Sequence, residues 1–113
     1  MNSNTPYKPL VVAMVSCALF FAVGARGADD ATVKLYSTKC AACHGPDGSG
    51  NTPVGKTLKL KDFRDPDSQK MTDEELTTLI AKGKDKMPAN EKTLKPDQIK
   101  ALVGYVHELA QKK

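Results

Sequence analysis

The sequence predicts an all-α protein of three to four short helices, and three observations carry that prediction. Helix-start signals at Asp29-Asp30, at Thr72 and at Pro96 each introduce apolar residues at three- and four-residue spacing. Strand signals are nearly absent: Leu58 and Leu60 alternate with lysines, but an irregular loop whose Leu58, Leu60 and Phe63 cover an apolar surface accounts for them better. The chain has 113 residues, one domain's worth, with 40% apolar and 5% aromatic residues and no Trp, so a core built from side chains alone would be thin.

The first element is read as an export leader. Residues 1 to 9 are polar and carry Lys8, Leu10 to Val23 are almost wholly apolar, and small residues from Gly24 to Ala28 precede Asp29-Asp30. That order describes a secretory signal peptide, and the apolar run is short for a membrane span. Cleavage after Ala25 fits small residues at Val23 and Ala25, and cleavage after Gly27 competes closely. The domains are accordingly a leader over 1–27 and one folded domain over 28–113. Cys17 lies inside the apolar run and goes with the leader. A lipid-anchor reading of Cys17 is disfavoured because the following residues stay apolar through Val23.

The net charge of +4 includes Lys8 and Arg26; without them 15 basic face 13 acidic residues, leaving +2. Basic residues are interleaved with acids and have no aromatic stacking platform, so nucleic acid is not an expected partner.

Asp29-Asp30 caps a helix running to about Lys39, with Val33, Leu35 and Tyr36 as its apolar residues. It runs into Cys40-Ala41-Ala42-Cys43-His44, followed by a turn-rich loop, Gly45 to Asn51, whose glycines have no preceding strand and so form no dinucleotide fingerprint. Thr72 with Glu75 makes a capping box, Met71 and Leu76 a hydrophobic staple, and Leu76, Leu79 and Ile80 a buried stripe that Gly83 ends. Lys84 to Lys95 is a loop carrying Met87-Pro88. The last helix opens on Pro96-Asp97 and buries Ile99, Leu102, Val103, Val106 and Leu109 or Ala110.

Cys40 and Cys43 are three residues apart and His44 is four from Cys40, so on a helical turn all three project to one side. Cys-x-x-Cys-His is the attachment pattern of a c-type haem: two thiols form thioethers with the vinyl groups, and the imidazole ligates the iron. A thioredoxin-like pair would need a βαβ setting. A zinc site would need ligands beyond His107. A disulfide across two residues would be strained and leaves His44 without a role. A haem also supplies the apolar disc that the thin core lacks.

Thioether sulfur is a known partner of His on haem iron. Met71 is taken up by its staple, whereas Met87 stands alone in the polar loop Lys84 to Ala89 and is read as the sixth ligand. His107 faces Lys100, Gly104 and Gln111 at helical spacing and is read as a solvated surface residue. The site residues are therefore Cys40, Cys43, His44 and Met87 for haem c, with His44 and Met87 on the metal.

Cys40-Ala41-Ala42-Cys43-His44, Met87-Pro88 43 residues after His44, and a closing helix with Leu102 and Tyr105 resemble the small class I cytochromes c across nearly all of residues 29–113. The resemblance implies the cytochrome c fold, with the first and last helices crossing near a right angle through Tyr36, Leu102 and Tyr105. Thr32 stands where the family often has Gly, implying a slightly wider crossing. It also implies a Pro carbonyl accepting the proximal histidine's proton, for which Pro53 is the candidate. Lys95 stands at an N-cap that commonly holds Ser or Thr.

With His44 and Met87 both bound, no coordination position is open. The function expected is a soluble, periplasmic, single-electron carrier, an electron-transfer protein and not an enzyme, with no small-molecule substrate. Its partners would be a membrane oxidase, reductase or dehydrogenase, with peripheral membrane association a secondary expectation. A thylakoid lumen or a lipid anchor ranks lower. Lys82, Lys84, Lys86 and Lys92 bracket the Met87 loop and read either as a solvated face or as a docking rim for an acidic partner. A haem enzyme or gas sensor with a labile Met87, and a haem subunit of a larger oxidoreductase, are the competing functions.

Overall fold

A computed structural model describes residues 27 to 112; the expected leader, apart from Gly27, lies outside them. Six helical segments follow one another: α1 Asp30–Lys39, α2 Ala41–His44, α3 Pro53–Thr57, α4 Pro66–Gln69, α5 Asp73–Lys82 and α6 Pro96–Gln111. Among the described residues there is no strand, only an isolated antiparallel bridge between Lys84 and Met87. None of these helices is long and apolar enough to cross a membrane.

The three longer helices begin where their caps place them. The Asp29 side chain accepts from the Thr32 N–H at 2.8 Å at the head of α1. Thr72 and Glu75 close a reciprocal capping box on α5, and Gly83 ends it with φ +70. Lys95 has N-cap geometry before α6 but offers no acceptor; only the return bond is made, from the Lys95 N–H to the Gln98 side-chain oxygen at 2.8 Å. A Lys95→Ser substitution supplies the missing acceptor and is expected to stabilise the protein by about 0.5–1 kcal/mol. An unchanged or lower melting temperature would count against that reading of the cap.

The short helices α3 and α4 occupy a region whose sequence has no helical period. Each is a single turn opened by a side-chain cap and a proline: Thr52 before Pro53, and Asp65 before Pro66. Of the three residues expected to cover an apolar surface here, Leu60 and Phe63 are partly buried, whereas Leu58 is 37% exposed.

The core joins α1, α5 and α6 through Tyr36, Leu76, Ile80, Leu94, Ile99, Leu102, Val103, Tyr105 and Leu109. Tyr36 meets Tyr105 edge to face, ring centroids 5.1 Å apart at 80°. That contact and the fully buried Leu102 fix the α1–α6 crossing. Thr32 is buried and is the polar member of the core. Val33, read as one of the apolar residues of α1, is 37% exposed. The α1, α5 and α6 scaffold leaves one side open, where α2 and the loop after α5 face each other.

Candidate haem site

The Cys-x-x-Cys-His turn is fixed by bonds to its own carbonyls. The Cys40 N–H closes α1 on the Tyr36 carbonyl at 2.8 Å, and α2 then lasts one turn before Gly45 at φ +81. Three carbonyls at the end of this turn are taken up: Cys43 by the Thr52 hydroxyl at 2.7 Å, His44 by the Gly50 N–H at 2.7 Å, and Gly45 by the Tyr36 hydroxyl at 2.7 Å. Thr52 also caps α3, accepting from the Gly55 N–H at 2.8 Å. A Cβ at Gly55 would run into the Gly50 and Cys43 carbonyl oxygens, so only glycine lets α3 lie this close to the turn.

Opposite this turn, Met87 sits on a tight reversal. Lys84 and Met87 exchange backbone bonds of 3.1 and 2.9 Å, and Asp85 between them has φ +52. The Asn90 side chain ties the loop to the Ile80 carbonyl at 3.1 Å and the Pro88 carbonyl at 3.2 Å, while the Asn90 N–H reaches the Ala81 carbonyl at 3.0 Å. Gly83 lies against the Met87 and Pro88 backbone, where a Cβ would collide.

Between these walls lie two adjoining cavities of about 260 and 500 Å³. Cys40, His44, Leu60, Leu79 and Met87 line both, and Cys43 lines the larger. Tyr36, Phe63, Leu76, Ile80, Leu102 and Val106 make the smaller one a mainly apolar extension of the core. Volumes of this order suit a bound organic group.

The residues fit a haem. Burial pushes the His44 imidazole below its ordinary pKa, which keeps it in the neutral form that binds a metal. Its Nδ1 is sealed from solvent with no hydrogen-bond partner among the described residues. Pro53 does not accept a proton from it: the Pro53 carbonyl takes the Thr57 hydroxyl at 3.0 Å, as part of α3. Phe63 packs against the imidazole, centroids 5.1 Å apart. Cys40 and Cys43 form no disulfide with each other, and burial raises the Cys40 pKa, with a smaller opposing effect from Lys39.

Met71 is partly buried against the core cluster, and it also lines the smaller cavity. His107 is half-buried and holds Asp73 Oδ1 at 2.7 Å, joining α6 to the first turn of α5; it is not the plain solvated residue the helical face suggested. The lysine rim also differs from its sequence outline. Lys82 is engaged by Glu91 at 2.8 Å, whereas Lys39, Lys59 and Lys61 join Lys84 and Lys86 around the larger cavity.

A helical wrap around one apolar groove, with Cys-x-x-Cys-His on one wall and a methionine arm on the other, defines a small helical haem protein. Comparison with known proteins narrows this. Residues 27–106 match the family described as cytochrome c oxidase, cbb3-type, subunit III. Cytochrome c6 of Gloeothece citriformis is 39% identical over 80 residues, covering 70% of this chain and 69% of that protein. Cytochrome c6 of Leptolyngbya boryana is 35% identical, covering 70% and 89%. The cbb3-type cytochrome c oxidase subunit CcoP of Rubrivivax gelatinosus is 42% identical over 77 residues, but only 23% of that protein is covered. The solved KustC0563 c-type cytochrome superposes with a TM-score of 0.65 at 34% identity, covering 71% of this chain and 98% of that one. The chain belongs to the class I c-type cytochromes. It is a monohaem electron carrier with covalently bound haem c.

Proposed function

We propose that Cys40 and Cys43 carry the two thioether links, that His44 and Met87 are the axial ligands, and that the protein shuttles single electrons in the periplasm to a membrane oxidase, reductase or dehydrogenase. The observation that carries this is the shared lining: His44 and Met87, from elements 43 residues apart, both face the two adjoining cavities beside Cys40. The haem supplies one-electron iron chemistry. The chain supplies its surroundings: Leu76, Ile80 and Leu102 exclude water, and a thioether from Met87 favours the reduced state. Absorption spectra of both oxidation states and an intact mass, on protein matured with haem, test the assignment. A mass one haem above the polypeptide and a sulfur-ligation signature are expected; a bare polypeptide mass would refute it.

The rim around the larger cavity supports partners with an acidic face. Lys39, Lys59, Lys84 and Lys86 form no ion pair among the described residues, and the one acid lining that cavity is Asp85. The rate of reduction by such a partner is expected to fall tenfold or more, roughly, between low and molar salt, as screening shortens from about 30 Å to about 3 Å. A salt-insensitive rate would remove the docking role and leave a solvated lysine face.

A second reading, a haem subunit of an oxidase, is supported by the cbb3-type relatives, of which this chain spans 23% and 27%. Co-purification with membrane subunits distinguishes it from a free carrier. Ready carbon monoxide binding by the reduced native protein would instead favour a gas sensor or haem enzyme.

A further inference from the structure

The Ala28 backbone N–H donates to Glu108 Oε2 at 2.7 Å, across 80 residues of sequence, and a Cβ on Gly27 would lie 3.5 Å from the same carboxylate. Glu108 sits on the last turns of α6, its side chain 32% exposed, and its cationic neighbour is Lys112 Nζ at 3.3 Å. The Tyr36–Tyr105 contact joins the same two helices, α1 and α6.

This carboxylate is aimed at a main-chain nitrogen beside the expected leader boundary. We propose that the leader is removed between Gly27 and Ala28, and that the ammonium created on Ala28 forms an ion pair with Glu108 that fastens the start of α1 to α6. A leader peptidase supplies the cut: water hydrolyses the Gly27–Ala28 peptide bond, leaving a carboxylate on Gly27 and an ammonium on Ala28. Ala25 and Gly27 then occupy the two positions where such enzymes require small residues. The alternative cut after Ala25 would keep Ala28 nitrogen an uncharged amide behind an Arg26-Gly27 overhang. The Ala28 N–H, with a smaller contribution from Lys112, already holds the Glu108 carboxyl below its ordinary pKa, and a full positive charge on that nitrogen strengthens the same contact.

Intact mass of the exported, haem-loaded protein tests the cut directly, and its readout is independent of the axial-ligand assignment. The expected first residue is Ala28; a product beginning at Arg26, or lipidated on Cys17, overturns the proposal. Thermal unfolding tests the ion pair. Glu108→Gln is expected to lower Tm by about 4 °C in the processed protein. In a Gly27→Leu background, where a large residue blocks this cut and Ala28 nitrogen stays an amide, the same substitution is expected to cost half as much or less. An equal loss of Tm in both backgrounds would overturn the ion pair.

Discussion

Met87→Ala is expected to abolish the sulfur-ligation signature of the oxidised protein, to let the reduced protein bind carbon monoxide, and to lower the reduction potential. The fall is expected to be a fraction of the roughly 0.8 V that axial ligand identity spans in haem proteins. The cause is local. Met87 is carried on the Lys84–Met87 reversal, which the Asn90 side chain pins to the end of α5, so truncating its side chain leaves the loop backbone in place and removes the thioether arm. Met71 is the necessary control, because it lines the smaller cavity too. Met71→Ala is expected to retain the signature and to lose stability instead, through its contact with the core. If Met71→Ala erased the signature while Met87→Ala kept it, the ligand assignment would pass to Met71.

The largest effect on stability is expected at Leu102. Its side chain is 1% exposed, it packs in the cluster with Tyr36 and Tyr105, and it lines the smaller cavity. Leu102→Ala removes core contacts and enlarges a hollow that the surrounding helices cannot close, at about 2–5 kcal/mol. Against a total stability of about 5–15 kcal/mol this is a large share. Thermal unfolding of the haem-loaded variant is expected to shift down by roughly 10 °C or more. A shift of only a degree or two would mean that the α1–α6 crossing does not depend on this side chain.

The parts of the fold that were legible in the sequence are those whose signals are local. Asp29, the Thr72–Glu75 pair and Pro96 each mark a helix start, and Gly83 a stop, because caps satisfy backbone groups within a few residues. The single-turn helices α3 and α4 were not legible by periodicity, since one turn shows no period; their Thr52-Pro53 and Asp65-Pro66 starts were the available signal. The candidate ligands were legible from chemistry and spacing. Their supports were not: Asn90 acts on Ile80 and Ala81, 10 and 9 residues back, and Gly55 makes room for Gly50 and Cys43, 5 and 12 residues back, which no local pattern encodes. Leu58 and Val33 read as apolar cover, yet both remain more than a third exposed, because burial depends on which side of α3 and α1 faces the scaffold. Tertiary bonds likewise decide His107, whose Asp73 partner lies 34 residues away.

The hydrogen bonds from Tyr36, Gly50 and Thr52 to Gly45, His44 and Cys43 close a circuit around the cysteine-bearing turn. Inside it, the Cys43 and His44 N–H groups donate back to the Cys40 carbonyl at 3.2 and 3.0 Å, so the polypeptide itself sets the geometry of the segment between the two cysteines. The spacing at which the macrocycle's two tethers leave the chain is thus written in main-chain bonds.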